Sequence, residues 1–276
     1  MSPSDRPTKA QRREEARQEA LRLRQEQERT AKRRRVIAIS AAGAVLLGFA
    51  VLVVVILTSG GTPEAEQNQP SFAADGGGGV VLDADGVVVP PADADESWPV
   101  GAFGDAVVVS VYSDPICPAC GLFEATAGVV LEELREDGEV VLDHRLVGAL
   151  DRTSMGTQYS TRAAQAMYTV AEVAPEAFPA FHTALMTAQP AEGTTGLSDE
   201  EIAEIARGSG VPEGAIEAIA ENRYTWWVGQ VTEAARERFA PRFYTPTVLL
   251  DGEMLPDEVD WRDEDSLRQS IEDARG

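Results

Sequence analysis

The sequence predicts an α/β domain with an inserted helical block, preceded by one membrane-spanning helix. Three observations predict it. Strand-like and helix-like runs alternate on either side of a long helical stretch. Cys117 and Cys120 sit where a strand-like run gives way to a helix. A 23-residue run without charge, Val36 to Thr58, follows a basic arm.

Residues 1–35 hold twelve Lys/Arg and six Asp/Glu and end in Lys32-Arg33-Arg34-Arg35. Opposite charges recur at i,i+4, as in Arg22–Glu26 and Glu28–Lys32, so this arm reads as a solvated cytoplasmic helix. The run 36–58 spans roughly 34 Å at about 1.5 Å per residue, enough for one bilayer crossing. A signal-peptide core has only about 7–15 apolar residues and ends at a small-residue cleavage site, which Thr58-Ser59-Gly60-Gly61 lacks. The basic flank predicts a single-pass protein of the cell membrane, N-terminus cytoplasmic and main domain outside. Residues 59–79 read as a flexible linker, because Gly60-Gly61, Pro63, Pro70 and Gly76 to Gly79 interrupt any regular element.

The whole chain carries a net charge of −22, and no lysine follows Lys32. The remainder after residue 35 therefore stands at −28. A domain this acidic is excluded from binding nucleic acid or an anionic membrane surface by charge.

Residues 80–155 form the first part of the α/β domain. Val80-Val81-Leu82 and Val87-Val88-Val89 flank Asp83-Ala84-Asp85-Gly86 and predict a hairpin. That acidic turn lacks the spaced ligands of a calcium loop. A buried strand follows at 106–112, a helix at 118–136 with Leu122, Phe123, Val129, Val130, Leu131 and Leu134 on its apolar face, and a strand at 139–147. Strand–helix–strand order predicts parallel pairing. Residues 156–240 form a helical insertion with candidate helices at 160–173, 177–188, 199–207, 212–222 and 225–239. Ser198-Asp199-Glu200-Glu201 is a capping signature for the third. Residues 241–276 return to sheet, with strands at 248–250 and 253–255, and close with a helix at 263–274.

Cys117-Pro118-Ala119-Cys120 carries the chemistry. These are the only two cysteines, so none remains for a separate structural bridge. A C-x-x-C pair opening a helix is a thiol–disulfide redox motif: the helix N-terminus stabilises the first thiolate, and the second cysteine closes the disulfide. Pro118 suits the first helical turn because it has no N–H to waste there. Cys117 is the expected attacking thiolate and Cys120 the resolving thiol. Asp114 would oppose the thiolate or relay a proton for Cys120; a turn into the helix, or a solvated carboxylate, is the alternative. No metal is expected. Cys117, Cys120, His144 and His182 lack local ligand spacing and fall in separate elements, so His144 is read as a strand or surface residue and His182 as helix packing. Trp226, Trp227, Tyr224 and Phe239 read as core, with one of them a candidate for a substrate groove. Phe243 is read as packing.

Three segments carry a family resemblance over roughly residues 100–276. They are Tyr112-Ser113-Asp114-Pro115-Ile116-Cys117-Pro118-Ala119-Cys120, Phe181-His182-Thr183-Ala184-Leu185 in the insertion, and Thr245-Pro246-Thr247-Val248. The chain resembles the DsbA-like thiol oxidoreductases, which have a thioredoxin fold with a helical insertion. The resemblance implies a cis Thr245–Pro246 bond packed against the disulfide, with Thr245 offering backbone hydrogen bonds to a substrate strand. From the residues alone, Pro246 equally suits a proline opening an edge strand. It also implies cysteine-containing exported proteins as substrates, a membrane redox partner and no cofactor. One departure matters. Strongly oxidising relatives carry His where this chain has Ala119, and Ala offers the Cys117 thiolate neither charge nor a ring donor, so a weaker oxidant is expected. A reductase or isomerase, and a non-catalytic binding module with a structural Cys117–Cys120 bond, remain the alternatives.

Overall fold

The computed structural model describes residues 68–73, 78–88 and 103–276, all within one compact unit, Ala65–Gly276. The basic arm, the apolar run 36–58 and the first part of the linker lie outside the described residues. Among the described residues, no helix is long and apolar enough to cross a membrane.

Six strands form one sheet: β1 (Val80–Asp83), β2 (Gly86–Val88), β3 (Val107–Ser113), β4 (Val140–Leu146), β5 (Thr247–Leu250) and β6 (Glu253–Met254), in the order β2-β1-β4-β3-β5-β6. Among these described strands only β3 and β4 pair in parallel, in the register Val111 opposite His144. β3 is buried along its whole length, as expected for a central strand covered on both faces. Val107, Val109 and Val111 join the main core, while Val108 meets Val81 and Val141 in a smaller cluster. The opposite sides taken by alternate residues account for that division.

After β3 come α1 (Pro118–Phe123), a π turn (Glu124–Gly128) and α2 (Val129–Glu136). One uninterrupted helix was predicted here. The wider turn rotates the apolar stripe, which leaves Leu122 and Val129 exposed and buries Ala127, Val130 and Leu131. The insertion is built on α3 (Tyr159–Val173), with α4 (Phe178–Thr187), α5 (Asp199–Gly208), α6 (Glu213–Ala220) and α7 (Thr225–Arg238) around it. α3 is buried nearly all round, the pattern of a central helix. α5 begins with a reciprocal capping box between Ser198 and Glu201. α8 (Glu264–Arg275) is capped by Asp263, which accepts from the Ser266 amide.

The linker expectation needs correction near its C-terminal end. Ser71–Ala73 form a 3-10 turn, and Pro70, Phe72 and Ala73 are buried. Phe72 stacks on Tyr168, with ring centroids 6.3 Å apart. Glu172 accepts hydrogen bonds from Ser71 N and Oγ at 2.9 and 3.1 Å. The Tyr168 hydroxyl donates to the Gly78 carbonyl at 2.7 Å and accepts from the Leu146 amide at 3.1 Å. Proline and glycine content argued for a spacer, but one phenylalanine supplies enough apolar surface to dock the segment on α3. At Gly79 a Cβ would collide with the Asp143 carboxylate. Asp143 itself is fully buried and pairs with Arg145 at 2.7 Å while accepting from Ser110 Oγ at 2.8 Å.

Candidate functional site

Cys117 forms the N-cap of α1, with Pro118 in the first turn. Its carbonyl accepts the Cys120 and Gly121 amides at 3.0 and 3.1 Å, and the Gln189 side-chain amide at 2.9 Å. Both cysteines are free thiols, packed with Met186 and against Leu150. Cys117 is 6% exposed and Cys120 is fully buried, while Pro118 and Ala119 face solvent.

The two thiols are electrostatically unlike. The Cys117 pKa is lowered to about 6, chiefly because the Cys120 thiol donates to its sulfur; burial opposes this, and the Thr245 side chain and the Cys120 and Ala119 amides support it. Burial, then the Cys117 sulfur, push Cys120 well above the usual thiol range.

The Thr245–Pro246 peptide is cis, and the Thr245 carbonyl lies 3.2 Å from Cys117 Sγ. Pro246 thus stands where β5 begins, across from the cysteines. A second cis bond, Ala240–Pro241, precedes it and was not anticipated. Between them lies a groove of about 260 Å³ lined by Leu150, Arg152, Arg236, Phe243, Tyr244 and Thr245. The aromatic residues of this groove are Phe243 and Tyr244, not the Trp226, Trp227, Tyr224 and Phe239 considered from sequence. Phe243 also makes an edge contact with Tyr112. Tyr244 is half exposed.

Asp114 is neither solvated nor only a turn residue. It is fully buried. Its carboxylate accepts from Ile116 N at 3.0 Å, Ser160 Oγ at 2.6 Å and Leu150 N at 2.8 Å, and its own amide donates to Cys120 Sγ at 3.4 Å. The cysteine loop, α3 and the loop after β4 therefore meet on one carboxyl. Burial raises its pKa to about 6, partly offset by the hydrogen bonds from Ser160, Ile116 and Leu150 and reinforced by the Cys117 charge.

Gln189 and Leu150 are site neighbours that sequence reading missed. Gln189 follows α4, and Gly121 leaves room for it: a Cβ there would lie 2.5 Å from Gln189 Oε1. No local motif announces such a contact across 72 positions. His144 and His182, read from sequence as unrelated residues and set aside as zinc ligands with the cysteines, meet in the fold. The two histidines lie together but away from the cysteines, buried beside Glu124, with ring centroids 4.4 Å apart. Burial pushes both imidazoles down to about 4.

Fold and site define the class: a DsbA-like thiol–disulfide oxidoreductase of thioredoxin fold. The chain belongs to the thioredoxin family, whose model matches residues 96–273. It is similar to reduced DsbA from Mycobacterium tuberculosis, at 29% identity and a TM-score of 0.56, covering 72% of this chain and 92% of that one. DsbG from the same organism matches at 30% identity and a TM-score of 0.56, covering 74% and 90%. MdbA from Actinomyces oris shares the fold at 19% identity and a TM-score of 0.56, covering 78% and 98%. A 124-residue stretch is 31% identical to the serine/threonine-protein kinase PknE of M. tuberculosis; it covers 44% of this chain and only 22% of the kinase.

Proposed function

We propose that this chain is a membrane-anchored extracytoplasmic oxidoreductase that forms disulfides in exported proteins through Cys117 and Cys120. The observation that carries the reading is the asymmetry of the two thiols. A Cys117 pKa near 6 makes its thiolate a stable leaving group, and that favours the reduced form of the pair and hence the donation of its disulfide.

The reaction balances as two exchanges. A substrate thiolate attacks Cys117 Sγ of the disulfide, the Cys117–Cys120 bond breaks, and Cys120 leaves and takes up a proton. A second substrate thiolate then attacks the substrate sulfur of the mixed disulfide, and Cys117 departs as thiolate. Two substrate thiols are oxidised to one disulfide, the pair is reduced to a dithiol, and a membrane partner removes the two electrons. The Asp114 amide donates to Cys120 Sγ and so steadies the inner sulfur, while its buried carboxyl, with a pKa raised to about 6, braces the loop that carries the cysteines. Thr245 would pair its backbone with an extended substrate segment, and Pro246 fixes the approach. Phe243 and Tyr244 would offer apolar surface to residues beside the substrate cysteine, in a groove that Arg152 and Arg236 also line. The uncharged run 36–58 supports the anchor, and the basic arm before it supports the orientation.

The test is the reduction potential of the pair, by equilibration in glutathione buffers with thiol trapping. A value above roughly −180 mV supports disulfide donation; one near or below roughly −270 mV would mean a reductase or an inert bond. Loss of exchange in Cys117→Ser distinguishes an enzyme from a binding module.

A further inference from the structure

The geometry points to a zinc site that the exchange chemistry does not use, built from Glu124, His144 and His182. Glu124 opens the π turn that follows α1, His144 lies on β4 and His182 on α4. One ligand atom from each falls within 4.8 Å of the others. His182 Nε2 is 3.8 Å from a Glu124 carboxylate oxygen. That nitrogen is buried and has no hydrogen-bond partner among the described residues, and the same holds for Nδ1 of His144. Two buried imidazoles, 8% and 3% exposed, each leave a ring nitrogen unsatisfied, an arrangement that normally costs stability.

Two further observations belong to the same place. Gly128 closes the π turn, and a Cβ there would lie 2.8 Å from Glu124 Oε2, so an added methyl would make the carboxylate shift. The three residues also line a cavity of about 510 Å³, otherwise walled by apolar groups such as Val111, Leu131 and Leu142. Glu132 lines it too, but both its oxygens are held by Arg135 at 2.7 and 2.8 Å. The Glu124 side chain stays 13% exposed, which gives an ion a route inward.

Two imidazole nitrogens and one carboxylate suit zinc; calcium and magnesium require oxygen donors throughout. Zinc with three protein ligands keeps a fourth position for water, and this cavity has room for it. Zinc bonds of about 2.0–2.1 Å need ligand atoms about 3.4 Å apart, so small side-chain rotations would close the present spacing. Bound zinc would tie α4 of the insertion to β4 and to the turn just beyond Cys120.

The test uses the purified full-length chain with Cys117 and Cys120 oxidised, so that the thiols cannot compete for metal. Zinc stoichiometry and calorimetric titration would give one ion per chain. Cobalt substitution would give tetrahedral d–d bands without thiolate charge transfer. Glu124→Gln and His182→Gln would each weaken zinc binding by at least about tenfold, and Gly128→Ala, which shifts a ligand without removing one, by less than either. At the same zinc concentration, zinc would raise the melting temperature of the parent chain more than that of Glu124→Gln; the same melting curves show whether each variant folds. No stoichiometric zinc on the oxidised chain overturns the assignment. Binding left unchanged in folded Glu124→Gln and His182→Gln overturns it equally, since the ion would then sit on the acidic surface.

Discussion

The Thr245 carbonyl lies 3.2 Å from Cys117 Sγ, so two segments 128 positions apart meet at the reactive sulfur. The Thr245 side chain also contributes to the acidity of that sulfur. Thr245→Val keeps the side chain's shape and removes the hydroxyl. The pH midpoint of Cys117 alkylation should rise above that of the parent, while the fold is unchanged by circular dichroism. An unaltered midpoint would mean that the hydroxyl plays no part.

Cys117 should be alkylated in the reduced chain with a midpoint near pH 6, and Cys120 should resist the reagent until the protein unfolds. Mass spectrometry of the labelled cysteines separates the two. Equal labelling of both sulfurs would contradict the burial of Cys120.

Asp114 and Cys117 give the reduced chain opposing pH dependences. The Asp114 pKa is raised to about 6, so its contribution is full below the ordinary carboxylate range and is lost as pH rises through about 6. The Cys117 pKa is depressed to about 6, so its contribution is full above the ordinary thiol range, near 8.5, and is lost as pH falls through about 6. Between pH 6 and 8.5 the reduced form should therefore gain stability over the oxidised form, which has no thiol to titrate. Urea midpoints of both forms across that range check the sign.

Ala119→His should raise the reduction potential, because the solvent-facing position just before Cys120 would gain a donor and a partial positive charge for the thiolate. Each tenfold change in the exchange equilibrium corresponds to about 30 mV. A parent potential already equal to that of DsbA, roughly −120 mV, would remove the argument.

Gly79→Ala should destabilise the domain by about 3–5 kcal/mol, because its Cβ would displace the Asp143 carboxylate and leave Arg145 buried beside a broken pair. Chemical denaturation measures the loss. An effect under about 1 kcal/mol would mean that the backbone leading into β1 relaxes around the methyl group.

Local chemistry made much of this molecule legible from sequence. Cys117-Pro118-Ala119-Cys120 announced its place at a helix start, the run of valines before it announced a central strand, and Ser198 with Glu201 announced a cap. The resemblance carried the cis bond before Pro246. What stayed hidden depends on contacts between distant segments. Asp114 could not be seen to gather Ser160 and Leu150, nor Gln189 to reach the Cys117 carbonyl. The π turn at Glu124–Gly128 left no mark on an apolar pattern that still read as one helix. His144 and His182 looked unrelated because β4 and α4 are adjacent only in the folded chain. Phe72 was overlooked because the glycines and prolines around it dominated the composition.

The seclusion of Cys120 has a kinetic meaning. A diffusing thiol can reach the mixed disulfide only at its outer side, while the inner thiol attacks from within the same molecule. Escape by way of Cys120 is therefore first order and independent of surrounding glutathione, whereas completion by the substrate's own second cysteine depends on how soon that residue arrives. In the proposed oxidase the lifetime of the covalent complex would thus act as a clock: substrates whose two cysteines meet quickly would leave oxidised, and slow ones would be returned unchanged.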